Sequence, residues 1–278
     1  MKKLLMPFCL LCLAVTLISA CGTTPYNQTH LYGPIEKFKE DLADHGLRPL
    51  TNLSKKQVFY WDYAGQRFML ELMADQQLNA EYKKAKQSFE LKKILTNQFE
   101  DYLTRLPGDT AVSSIARQLK SQAELHGFND SQLAALAVSF VQSLPYDIDE
   151  WKELKSDDGQ YINKRSLQIY KTPYQVICQR KGVCLDKSLL GIDLLRELGF
   201  GAALIDLEKN EHTAFAIQCE PLYGFGPDSN YRYIEPTGRL NIGVVPLIMK
   251  GKQVQEMKIA LATEGKIYYG SQVKNLIP

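Results

Sequence analysis

The sequence predicts an α+β fold. In the second half, a leucine-rich helical period runs directly into three β-type runs, the order of a helix packed on antiparallel strands. In the first half, one aromatic hairpin signal is followed by helical periods. The chain has 278 residues, 45% hydrophobic, 23% charged and 10% aromatic, enough for a substantial core. That composition excludes collagen-like, disordered and disulfide-dense classes. The formal charge is +2, and no Lys/Arg cluster interleaves with aromatics, so no nucleic-acid partner is expected.

Met1-Lys2-Lys3 and the apolar run Leu4 to Ile18 read as a secretory signal rather than as part of the fold. Ile18-Ser19-Ala20-Cys21 resembles the bacterial lipobox, against the alternatives of an uncleaved anchor or an ordinary signal peptide. The expectation is a signal peptide over 1–20, lipidation at Cys21, and a small, polar tether over 21–33. The protein would then be lipid-anchored at a bacterial cell envelope, on the outer membrane facing the periplasm if the cell is Gram-negative. Loss of Lys2 and Lys3 leaves 31 basic residues against 31 acidic ones, with no electrostatic pull on a polyanion. Cys178, Cys184 and Cys219 remain, an odd number that leaves one thiol to be considered as a nucleophile.

Residues 34–129 read as a hairpin and helical region. Val58 to Tyr63 and Gln66 to Met73 flank the turn Ala64-Gly65. Leu91, Ile94, Leu95, Phe99, Tyr102, Leu103 and Leu106 predict a helix stopped by Pro107-Gly108. Val112, Ile115, Ala116, Leu119 and Ala123 predict a second, ended by Gly127. A third, capped by Asp130 and Ser131, carries Leu133, Leu136, Ala137, Phe140 and Val141 and stops before Pro145. Trp151 to Tyr170 reads as a polar surface segment. A further helix starts at Cys184, carries Leu185, Leu189, Ile192, Leu195 and Leu198, and ends at Gly199. Strands follow at Ala202 to Leu207, His212 to Cys219 and Tyr231 to Pro236, the last after a Gly/Pro-rich turn. Residues 130–246 form the expected core and 247–278 a C-terminal extension.

Cys184 at a helix start sits among unpaired N–H groups and the positive end of the helix dipole, which favour a thiolate. His212 opens one strand and Glu235 closes the next. If they lie opposite one another, Ile217 faces Asn230 and Gln218 faces Ser229, with the connection centred at Tyr223 and Gly224. A carboxylate beside the imidazole would orient it and stabilise its charged form. Nucleophile, base and orienting group thus occur in an order that local geometry can assemble.

Gly182-Val183-Cys184-Leu185-Asp186-Lys187-Ser188, Glu211-His212-Thr213-Ala214-Phe215 and Tyr233-Ile234-Glu235-Pro236-Thr237 together resemble the transglutaminase-like superfamily, most of all its bacterial and archaeal cysteine-peptidase-like branch. Phe140 to Tyr146 and Asn241-Ile242-Gly243 extend the resemblance. It implies a papain-like α+β core with Cys184 as nucleophile, His212 as base and Glu235 orienting the ring. Glu235 stands where the commonest residue is Asp. Gln179 and Gln142 are the candidates for a side-chain oxyanion donor, each competing with a reading as a surface amide. The function implied is an envelope-anchored peptidase or amidase acting on peptide or protein amides through a thioester. A protein-crosslinking transglutaminase and a silent binding or assembly lipoprotein remain the alternatives. No cofactor or metal is expected, because Cys-x5-Cys and His-x6-Cys lack zinc-knuckle spacing. Cys178 and Cys219 read as structural, free or paired with each other. Asp147, Asp149, Glu150, Asp157 and Asp158 show no EF-hand spacing and read as a solvated surface. Asp186 reads as charging the first turn of its helix, and His30, His45 and His126 as surface residues. Oligomeric state is not readable from the sequence.

Overall fold

A computed structural model describes residues 54–85, 99–153, 170–225, 229–249, 251–254 and 256–270. The signal segment, Cys21, the tether, His30, His45, the Leu91, Ile94 and Leu95 stripe, and Asp157 and Asp158 lie outside the described residues.

Strands β1 (Ser54–Tyr63) and β2 (Gln66–Asp75) form the expected hairpin, closing at Tyr63↔Gln66. Ala64 and Gly65 both take positive φ, 50° and 76°, the two-residue turn whose twist matches paired strands. Alternation buries Phe59 and Trp61 on β1 and Phe68, Leu70, Leu72 and Ala74 on β2. Beyond the hairpin, residues 76–85 are helical.

The free edge of β2 is satisfied by side chains. Gln118 accepts from Glu71 N at 3.0 Å and donates to Glu71 O at 2.7 Å. Gln122 donates to Met69 O at 2.8 Å, and Tyr174 Oη bonds both N and O of Asp75. Gln118 and Gln122 belong to helix α1 (Ala111–Leu125), so the stripe that packs α1 on the hairpin also covers an exposed sheet edge.

Helix α2 (Asp130–Ser143) is capped by Asn129, not by Asp130 or Ser131. Asn129 Oδ1 accepts from Gln132 N at 3.0 Å and Gln132 Oε1 accepts from Asn129 N at 3.0 Å. Asn-x-x-Gln is a capping box one residue upstream of the expected cap. The stripe ending at Leu106 also needs correction. Helix spans only Glu100–Leu103 of its described part, and Arg105 leaves the helical path to bind Asp193 and Glu197.

Three further helices complete the helical layer: α3 (Ile148–Glu153), α4 (Pro173–Gln179) and α5 (Cys184–Glu197). Strands β3 (Ala202–Leu207), β4 (His212–Gln218), β5 (Tyr231–Ile234) and β8 (Lys258–Thr263) form an antiparallel sheet in the order β5-β4-β3-β8. The short pair β6 (Ile248–Met249) and β7 (Lys252–Gln253) lies between β5 and β8 in the chain. The expected extension after residue 246 thus supplies a sheet edge, β8, joined to β3 with a bulge at Leu204/Ile205.

The sheet separates two apolar layers. Leu204, Phe215, Ile217 and Ile234 face the helices and join a cluster that includes the hairpin. Ala203, Ile205, Leu207, Ala214, Ala216, Tyr231 and Tyr233 face the other way, under Val245, Met249, Val254 and Met257. The period of two along β4 therefore holds His212 on the second face with Ala214 and Ala216, and Phe215 on α5.

Candidate active site

The loop before α5 is fixed by backbone and carboxylate contacts. Tyr146 and Gly182 form a parallel bridge, with Gly182 N donating to Pro145 O at 3.3 Å and Asp147 N to Gly182 O at 3.2 Å. Asp186 turns back across the first turn of α5. Its Oδ2 accepts from Val183 N at 3.0 Å, and its Oδ1 from Lys171 N at 2.7 Å. A Cβ on Gly182 would lie 2.9 Å from Asp186 Cβ, so only glycine lets the carboxylate approach. Cys184 opens α5 half-buried, immediately beyond this clamp.

Behind the clamp lies a buried ionic cluster. Lys171 Nζ contacts Asp147 Oδ2 at 3.0 Å, Asp186 Oδ2 at 3.6 Å and Glu150 Oε2, and Lys181 Nζ meets Asp147 Oδ1 at 2.9 Å. Asp147 and Glu150 are therefore not a solvated surface. Two carboxylates at this depth require a cation, and Lys171 supplies it. Burial pushes Asp147 up, but hydrogen bonds from Lys181 and Lys171 outweigh it and hold the carboxyl below its ordinary value.

His212 Nε2 lies 3.0 Å from Glu235 Oε2, and His212 and Cys184 line one hollow. Since Nε2 is committed to Glu235, Nδ1 is the nitrogen available to the thiol. The two strands are offset by two residues from the expected pairing. Phe215 pairs with Ile234 and Gln218 with Tyr231, and Cys219 N rather than Ile217 meets Asn230. An even offset keeps every side chain on its face, so the diagonal neighbours His212 and Glu235 still meet.

Glu235 is itself held on both oxygens. Tyr233 Oη donates to Oε2 at 2.7 Å, while Thr237 N at 2.9 Å and Thr237 Oγ1 at 2.5 Å donate to Oε1. Burial opposes ionisation of Glu235, but the bonds from His212, Thr237 and Tyr233 prevail and bring it down to about 2. Burial likewise opposes charge on His212. Its bonds to Cys184 and Glu235 outweigh that and raise it to about 9.

Gln142 is buried on α2, and its Nε2 donates to Glu235 O and Leu240 O, both at 2.9 Å. Its amide N–H groups are thus engaged with the segment that carries Glu235. Gln179 ends α4 and is exposed. Lys187, one turn beyond Cys184, is almost fully buried and donates to Leu144 O at 2.7 Å and Gln142 O at 3.4 Å, capping the end of α2. Burial lowers its ammonium to about 8, although the Glu235 charge opposes that. Nothing in the sequence marks Lys187 or Lys171 as buried. The i, i+2 spacing of Tyr233 and Glu235 on one strand face was the available signal for their contact.

Cys178, Cys184 and Cys219 are all free thiols. Burial pushes Cys178 to about 12 against a bond from Tyr174, and raises Cys219 as well. His126 is exposed beside Phe68 and Phe128.

Two hollows flank the imidazole. One, of about 210 Å³, is lined by Cys184, Val183, Leu185 and Thr213 together with Asp206, Glu208 and Glu211. The other, of about 480 Å³, is lined by His212, Glu235 and Thr237 with apolar residues opposite. Tyr146, Trp151 and His212 line both, so Trp151 is not part of a polar surface segment.

A sequence-family model described as a transglutaminase-like domain matches residues 110–225. Residues 110–225 are thus similar to a transglutaminase-like domain. The matched span includes Cys184 and His212 and ends before Glu235. No curated protein sequence matches the chain. Among solved structures, one described as a TGase aligns at 13% identity and TM-score 0.33, covering 74% of this chain and 48% of that one. The chain therefore spans about half of that TGase's length. A second, described as a candidate cysteine protease from Cytophaga hutchinsonii, aligns at 14% identity and TM-score 0.28, covering 69% of this chain and 68% of that one.

Proposed function

We propose that the transglutaminase-like domain is a cysteine-dependent acyl-transfer enzyme, a peptidase or amidase that acts on peptide or protein amides. The single observation that carries the reading is the buried His212–Glu235 pair, Nε2 to Oε2 at 3.0 Å, in a hollow shared with Cys184 at the start of α5. Cys184 Sγ attacks the carbonyl carbon, and the charge that builds on its oxygen meets N–H groups at the start of α5. The Cys184 and Leu185 N–H groups have no acceptor within the helix, which suits them to that role. The C–N bond breaks as the His212 imidazolium gives its proton to the departing nitrogen, leaving a thioester on Cys184. Water then attacks the thioester, its proton passes to His212, and the C–S bond breaks to release the acid.

Glu235 keeps the ring oriented and its charged form stable throughout. We place this enzyme at the bacterial cell envelope, held by lipid on Cys21, on the basis of the N-terminal signal pattern.

The test uses the full-length chain and a mixed peptide library, with products identified by mass spectrometry. Hydrolysis products are expected, and Cys184→Ala is expected to abolish them while leaving the melting temperature unchanged. Isopeptide products formed only with added amine would point to crosslinking. An unchanged rate in Cys184→Ala would remove the assignment.

A further inference from the structure

We infer that this enzyme selects its substrates by a bulky apolar residue on the amine side of the attacked amide, seated in the groove beside His212. The inference rests on the thioester reading above and adds the substrate class.

Reaction chemistry assigns the two hollows. The acyl group remains bonded to Cys184 Sγ, so it occupies the smaller hollow, which Cys184 lines. The departing nitrogen collects its proton from His212. The imidazole borders both hollows, and the smaller is taken by the acyl group on Cys184, so the chain attached to that nitrogen leaves past the ring into the larger groove, which Cys184 does not line.

The larger groove is apolar. Its walls are Tyr146, Ile148, Trp151, Pro246, Ile248 and Met249. Its charged lining groups, His212 and Glu235, are engaged with each other. The smaller hollow contrasts with it, bearing Asp206, Glu208 and Glu211.

Ile148 and Ile248 are 48% and 67% exposed, although they come from α3 and β6, a hundred residues apart. Two such residues converging from separate elements leave apolar surface in water that an apolar side chain would cover. A groove of about 480 Å³ accommodates a leucine or phenylalanine side chain with neighbouring backbone. A lysine or aspartate there would lose hydration against mainly apolar walls.

The experiment measures kcat/KM of the full-length chain on fluorescence-quenched peptides that differ only in the residue following the scissile bond: Leu, Phe, Ala, Asp or Lys. Leu and Phe are expected to exceed Asp and Lys by roughly 10- to 100-fold. In Ile248→Asp the Leu-to-Lys ratio is expected to fall at least tenfold. Partial unfolding lowers both rates together and cannot move that ratio. Cleavage that ignores this residue, or an unchanged ratio in Ile248→Asp, overturns the inference and leaves the thioester reading intact. Failure to cleave any peptide overturns both.

Discussion

Replacing Glu235 with Gln shows how much the thiol–imidazole pair owes to one carboxylate. Four donors converge on Glu235: His212 Nε2, Tyr233 Oη, Thr237 N and Thr237 Oγ1. A carboxylate accepts all four, whereas a Gln amide offers one oxygen. The Thr237 backbone N–H cannot turn away, so the amide oxygen takes the Thr237 side and its NH2 faces Tyr233 and His212. Tyr233 can rotate its hydroxyl to accept, but a protonated Nε2 cannot.

The rise of His212 from 6.5 to about 9 corresponds to about 3 kcal/mol of preference for the charged ring, shared between Cys184 and Glu235. A hydrogen bond to a charged group contributes about 1.5–3 kcal/mol, so Glu235→Gln weakens the protonation equilibrium of His212 roughly 10- to 100-fold and brings its midpoint down towards neutral pH. The assay is the second-order rate of Cys184 alkylation by iodoacetamide from pH 5 to 10, mapped by mass spectrometry. The variant's profile should be displaced along the pH axis by about one to two units, with a lower rate at pH 7. Superimposable profiles for the two proteins would refute the reasoning.

The same groups set a pH profile for stability. Glu235 is depressed from 4.5 to about 2, so its contribution is present above pH 4.5 and is lost as pH falls through 2. His212 is raised from 6.5 to about 9, so its contribution is complete below pH 6.5 and is lost as pH rises through 9. Urea titrations should show the pair stabilising most between those limits, and Glu235→Gln should flatten the profile on both sides. Gly191→Ala places a Cβ 2.5 Å from the Phe215 ring, in the interface between α5 and β4. It should cost about 1–3 kcal/mol in urea unfolding. Asp186→Ala leaves Val183 N and Lys171 N without an acceptor and removes one carboxylate from the Lys171 cluster, an expected loss of about 3–5 kcal/mol by thermal melting. Arg105→Met strands the mostly buried Asp193, which Arg105 holds at 2.7 Å, and should cost about 2–4 kcal/mol; adding Asp193→Asn should recover part of it in a double-mutant cycle.

Much of the architecture was legible because it follows local rules. Ala64-Gly65 between alternating aromatic runs specified the hairpin, and the leucine period from Cys184 specified α5. His212 and Glu235 were brought together by counting even though the count missed by two. The connection contains a helical turn at Pro221–Tyr223 that a symmetric loop does not anticipate, and an even offset does not change strand face. Helix α4 carried a legible signal, Thr172-Pro173-x-Gln175, which is a capping box with proline at the first helical position. The Lys171 cluster and Gln142 were not legible. Their partners lie far away in the chain, and a single Lys or Gln looks the same in sequence whether it is solvated or buried. Strand β8 was missed because it is short, starts with a lysine and is largely exposed at a sheet edge.

The thioester itself is the most direct test of the proposed chemistry. The full-length chain would be mixed with an N-acyl amino acid p-nitrophenyl ester, with p-nitrophenol release followed in the first turnover and the protein mass read immediately. A burst of about one equivalent, with one hydroxylamine-labile acyl group on Cys184, is expected. Cys184→Ala and His212→Ala should both abolish it. Acyl transfer that persists in Cys184→Ala, or that labels Cys178 and Cys219 equally, would contradict a nucleophilic Cys184.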